Sequence, residues 1–298
     1  MDFLLGFLIS KNKFTFNTIF VVIFCSIFAN ATTILTLVTP EAIVIGADSK
    51  NTPTYCGGYK KDSREEPIDK VIIVHKRIAI ASVGLESSII TDHSDHVIVA
   101  FNRESLIKQI EDDTPPDIPI ALLAQIVEEK SAVALIPLGP HVKAGIAEYD
   151  KSSKNATLVA TSQFIIVGYD DGVATLREIN FDFDWERGKF LPPTINLIFP
   201  SPTARPDFGF HVNGAINAVE DILHRELNSK AYRGLTSLSV KSLDHLIARK
   251  NLTIDEAVAL LSDMLRQQSK YTPDIVGAPF VVTVIHKTGP INVVRYPQ

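Results

Sequence analysis

Apolar and polar positions fall in blocks along this chain, and the blocks predict paired strands separated by helical stretches. Residues 33–38, TILTLV, are β-rich; Thr39-Pro40-Glu41 supplies a turn, and 42–47 is an apolar run, the pattern of a buried hairpin. Gly, Pro and charge dominate 51–67, which reads as loop. A second hairpin runs from 70–74, KVIIV, through His75-Lys76-Arg77 into 78–84, IAIASVG. Residues 85–130 carry a weaker helical periodicity, broken at Thr114-Pro115-Pro116. Asp117 is placed to cap the helix that continues through Ile120, Leu123, Ile126 and Val127. A third strand pair is expected at 164–167 and 175–179, joined through 168–172, and 182–207 reads as a polar, proline-rich excursion. Asn213-Gly214 opens a helix with Ile216, Val219, Ile222 and Leu223 on one face. Thr253-Ile254-Asp255-Glu256 has the capping-box spacing of a helix start. Strands at 279–285 and 291–295 close the chain. Strand pairs and helices in separate runs argue for an α+β chain with antiparallel sheets and outer helices, not a doubly wound sheet.

Residues 1–31 break this pattern. Residues 2–10 are apolar, Lys11-Asn12-Lys13 is basic, and 16–28 is almost continuously apolar. Ala29-Asn30-Ala31 then has the A-x-A spacing of a signal-peptidase site. The second apolar run, about 13 residues, is shorter than the roughly 20 that span a bilayer. Residues 1–31 therefore read as a signal peptide, with signal peptidase as the maturation partner and a secreted or periplasmic product. The alternative is an uncleaved N-terminus that stays as a membrane anchor. With no repeat or low-complexity linker after it, 32–298 reads as one domain. Hydrophobic residues at 46% and charged residues at 21% suit a chain with a sizeable core. A formal charge of −5 with no basic face argues against nucleic acid. Of the two cysteines, Cys25 lies in the signal, so the mature chain keeps Cys56 alone and has no intrachain disulfide.

Cleavage after Ala31 would leave Thr32 as the first residue. A threonine hydroxyl is a poor nucleophile until a base takes its proton, and the α-amine of the same residue can be that base. Such amines titrate near about 7.7–8.0, so a neutral fraction exists around neutrality. The bland reading is that Thr32 is only the first residue of a strand.

The stretches TTILTLVTPEAIVIGADSKNT and DKVIIVHKRIAIASVG closely resemble the opening of proteasome-type β-subunits, members of the N-terminal nucleophile (Ntn) hydrolases. That family begins with its nucleophilic threonine, and Thr32 stands the matching sixteen positions before Asp48 of Ala47-Asp48-Ser49. Lys70 and Gly84 match its next motif, although the loop between Asp48 and Lys70 is longer. FIIVGYDDGVATLREINF, HVNGAINAVEDIL and the segment from 252 to 285 resemble later parts of the family more loosely, and 85–163 matches poorly. The resemblance implies a four-layer αββα sandwich of antiparallel sheets. It implies Thr32 as nucleophile and base, Lys70 as the cation that favours alkoxide character, Asp48 as its partner and Gly84 as oxyanion donor. Asp274 would support the terminal threonine, and Thr52 and Lys50 would contact substrate. Asn213 stands where the family has a serine that helps hold the α-amine, and Gly277 replaces a second such serine.

Other signals are weaker. Asp92-His93-Ser94-Asp95-His96 has no clean ligand spacing, and no metal or organic cofactor is implied. Asn155-Ala156-Thr157 and Asn251-Leu252-Thr253 match glycosylation acceptors, and no G-x-S-x-G elbow occurs. The expectation is an exported threonine-type amidohydrolase, a peptidase, acting on a peptide or amide substrate. The alternatives are a small-molecule amidase of the same fold and a catalytically silent binding or assembly module. Family members commonly form rings, which leaves a homo-oligomer open.

Overall fold

The computed structural model describes residues 32–50, 68–84, 101–140, 162–184, 186–200, 209–214, 252–273 and 276–296, with the backbone of 23–24, 55–56, 87–91, 97–100 and 161. Two short strands, β1 (Ile23–Phe24) and β4 (Tyr55–Cys56), pair with each other. The first hairpin is β2 (Thr33–Val38) and β3 (Ala42–Asp48), and the second is β5 (Val71–Val74) and β6 (Ile78–Gly84). A third hairpin joins β7 (Ser87–Thr91) to β8 (Val97–Asn102). Helices α1 (Arg103–Asp113) and α2 (Ile120–Leu135) follow. Next come β9 (Thr161–Asp170), β10 (Val173–Asp184), β11 (Lys189–Phe190), β12 (Thr194–Phe199) and β13 (Gly209–Gly214). Helix α3 (Ile254–Tyr271) leads into β14 (Phe280–His286) and β15 (Ile291–Tyr296).

Two antiparallel sheets dominate. One has the order β13-β2-β3-β14-β15; the other runs β11-β10-β9-β6-β5, with β12 also on β10. Strands β2 and β3 are buried along their whole length, because both of their faces are covered. Ile34, Val38, Ile43 and Ile45 meet Ala79, Ala81, Ile165 and Val167 between the sheets. The alternate residues Leu35, Leu37 and Val44 meet Leu261 and Leu265 of α3. On the other sheet, Ile78, Ile80, Phe164 and Ile166 pack with Ile107 of α1 and Leu123 and Val127 of α2. This is the period-2 alternation of strands covered on two sides.

The expected αββα sandwich is corrected. The described residues form a mostly antiparallel β structure of two sheets with three helices set against it, one of them alone on its sheet, and not four complete layers. Part of the difference lies at 87–102, where a weak helical periodicity gives way to β7 and β8. Ile89-Ile90 and Val97-Ile98-Val99 are β-branched runs, which favour a pleated strand over a helix. Part lies at 189–199, expected as loop, where β11 and β12 extend the larger sheet. Asn213-Gly214 ends a strand where a helix start was expected; the residues after it lie outside the described ones. The start of α2 also differs. Asp117 does not cap it; the Asp170 carboxylate, from the end of β9, accepts from the Ile120 N–H at 3.0 Å. The Thr253 capping box forms as read, with Glu256 on the Thr253 N–H at 2.9 Å. Among the described residues no helix is long and apolar enough to cross a membrane.

Candidate active site

The start of β2, the end of β3 and the start of β5 converge where the two sheets meet. Thr32 is buried, at 3% exposure, immediately before β2. Its carbonyl is covered by Gly214 at the end of β13. A Cβ built on that glycine would lie 1.8 Å from the Thr32 oxygen, and the backbone φ of +84° is one that side chains rarely adopt. Only glycine fits here.

Asp48 closes β3 and gathers the site. Its Oδ1 accepts the Thr33 N–H at 2.8 Å, and its Oδ2 accepts the Lys70 ammonium at 3.0 Å. The N–H groups of Lys50, at 3.3 Å, and Gly277, at 3.5 Å, also donate to Oδ2. Burial pushes the Asp48 carboxyl above its usual range, against the opposing pull of the Lys70 ammonium and the Thr33 and Gly277 amides. Both side chains of the pair are buried. Breaking such a pair strands a charge, so Asp48 and Lys70 hold each other in one geometry.

The backbone beneath Lys70 is held as well. Arg103, buried at the start of α1, donates to the carbonyls of Asp69 at 2.6 Å and Lys70 at 3.4 Å, and to the Ser82 hydroxyl. Ser82 lies on β6 two residues before Gly84, whose φ of +98° again favours glycine. Thr32, Asp48, Lys70 and Gly84 thus come from four neighbouring segments of the two facing sheets.

Other expected residues divide. Lys50 turns its ammonium onto the Pro273 carbonyl at 2.8 Å, and its stem packs against Gly277. Gly277 contributes through its backbone N–H, the one polar group it can offer Asp48. Asn213 is buried and donates its amide to Glu178 at 2.8 Å. Thr52 and Asp274 lie outside the described residues, as do Asp92 to His96, Asn155, Asn251 and the signal junction at Ala31.

Glu178, His211 and Arg103 were not anticipated. Glu178 of β10 accepts from His211 Nε2 at 2.9 Å, from Asn213 at 2.8 Å and from Asn180 at 2.6 Å. It therefore ties edge strand β13 to the opposite sheet. Its pKa is lowered to about 2, first by the His211 hydrogen bond, with further help from Asn180 and Asn213. A signal for it existed. Ala174, Leu176, Glu178 and Asn180 alternate onto one strand face whose first two members line the inter-sheet core. A cavity of about 160 Å³ opens nearer the Val38 end of β2, lined by Thr36, Leu176, Phe199 and His211 among others. No protein-family model matches the chain, and no curated protein matches it.

Proposed function

We propose that the chain is an exported threonine-type N-terminal nucleophile amidohydrolase that acts on peptide amides and is activated by cleavage before Thr32. What carries the reading is the Asp48 carboxylate, which joins the Thr33 N–H and the Lys70 ammonium within 3.0 Å. That bond pattern holds a buried cation against the residue next to Thr32. It is a geometry suited to lowering the cost of charge on the Thr32 hydroxyl.

The chemistry follows from those groups. The freed Thr32 amine takes the hydroxyl proton as Oγ attacks the amide carbon, and the oxyanion forms facing the Gly84 N–H. The amine then passes its proton to the leaving nitrogen, the C–N bond breaks and an ester remains on Thr32. Water, deprotonated by the same amine, hydrolyses that ester.

A second reading, a silent binding or assembly module, is favoured by the near-complete burial of Thr32. N-terminal sequencing of the exported protein separates the two, with Thr-Thr-Ile-Leu-Thr expected. One extra residue would turn the amine into an amide and end the mechanism. A panel of peptides and small acyl amides then distinguishes a peptidase from a small-molecule amidase.

A further inference from the structure

Asn213 Oδ1 is buried and has no hydrogen-bond partner among the described residues, although the Nδ2 of the same amide is engaged by Glu178. A buried acceptor without a donor is costly enough to ask what it is for. The orientation of this amide is not free. A carboxylate only accepts, so the NH₂ end must face Glu178 and the carbonyl end must face away. Glu178 is ionised at any working pH, since its pKa is lowered to about 2.

The strand register says what lies on the other side. Asn213 pairs with Ile34, and Gly214 with Thr33. Ile34 and Val38 point between the sheets, and Thr32 is two residues before Ile34, on the same face by the strand period. Thr32 is therefore the diagonal neighbour of Asn213 on that face; such neighbours lie about 7–8 Å apart, and somewhat less between their Cβ atoms. The Gly214 contact with the Thr32 carbonyl keeps the two segments together.

We infer that Glu178 is a positioning residue for the Thr32 amine: it pins the Asn213 amide so that Oδ1 accepts from the amine that cleavage releases. The inference rests on the function proposed above. His211, from the same strand, shares the Glu178 carboxylate and holds β13 at the right separation from β10.

The test uses the mature protein and a leucine tripeptide ending in an epoxyketone. The Thr32 oxygen adds to the ketone carbon and its proton passes to the ketone oxygen. The amine nitrogen then attacks an epoxide carbon, that C–O bond breaks, and the nitrogen's proton ends on the released oxygen. Capture is followed by mass spectrometry in Glu178→Gln, Glu178→Asp, Asn213→Ser and the Glu178→Gln/Asn213→Ser pair, each checked for fold by circular dichroism. A serine hydroxyl rotates and needs no pinning, so the two changes should not add. Glu178→Gln should slow capture about tenfold when Asn213 is present, but less than twofold in the Asn213→Ser background. Glu178→Asp should recover part of the loss, and the pH midpoint of capture should fall in Glu178→Gln because the ammonium loses an acceptor. An equal factor in both backgrounds, or none in either, overturns the inference while leaving Thr32 as nucleophile. Failure of the unaltered protein to be captured at Thr32 overturns the function and the inference together.

Discussion

Asp48 and Glu178 are both hydrogen-bonded carboxylates taken largely out of water, and their environments drive them in opposite directions. Asp48 is fully buried and has a lysine ammonium at 3.0 Å, yet its pKa is raised. Glu178 keeps 12% exposure, is tied to a histidine and two amides, and has its pKa lowered to about 2. Proximity to a cation is therefore not what decides. Complete removal from water costs Asp48 more than one ammonium and the surrounding amides offset. Partial hydration with three side-chain donors leaves Glu178 comfortably ionised. One pair is built to keep a charge under tension beside Thr32; the other is built to stay fixed.

The largest expected effect comes from breaking the first pair. Lys70→Ala should reduce turnover to background, and Lys70→Arg should rescue it poorly, because a forked cation does not fill the same space. The stability cost should depend on pH. Without Lys70 the Asp48 pKa lies further above its unfolded value, so its contribution is kept at low pH and lost as pH rises. Chemical denaturation should show the variant destabilised by about 3 kcal/mol near pH 8, and by clearly less near pH 5. An equal cost at both would mean that Asp48 does not take a proton.

The second pair should behave in the opposite sense. The Glu178 pKa is lowered from 4.5 to about 2, so its contribution is present above about 4.5 and lost as pH falls through 2. Acid unfolding of the unaltered protein should include a loss on the order of 2–3 kcal/mol in that window, absent from Glu178→Leu. A same-sized loss in both would show that Glu178 is not the group whose protonation destabilises the fold. The smallest effect is expected at Lys50, whose ammonium bonds one carbonyl at the surface. Lys50→Ala should cost under about 1 kcal/mol in a thermal melt, and a larger loss would show that its packing on Gly277 matters more than the bond.

Much of the fold near the site was legible because its signals are local. The apolar runs of β2, β3 and β6 and the capping box of α3 are set by neighbouring residues. What was misread depends on distant partners. The cap of α2 comes from Asp170, fifty positions away, and β11 and β12 are strands because β10 offers them an edge. The same division holds at the site. Asp48, Lys70 and Gly84 stand in motifs, whereas Arg103 reads as an ordinary charged residue at a helix start until Asp69 and Ser82 are seen beneath it. Glu178 and His211 meet across two sheets, thirty-three positions apart, which no local pattern reports.

The proposed chemistry requires that Thr32, once terminal, carry both hydroxyl nucleophile and amine base. The most direct measurement is mass-spectrometric mapping of the epoxyketone adduct on mature protein, with Thr32→Ala and an N-acetylated form alongside. One adduct is expected on the peptide that begins at Thr32, slowed but present in Thr32→Ser, and absent from the alanine and acetylated forms. An adduct on another residue, or equal labelling of Thr32→Ala, would contradict it and leave Thr32 as only the residue that leads into β2.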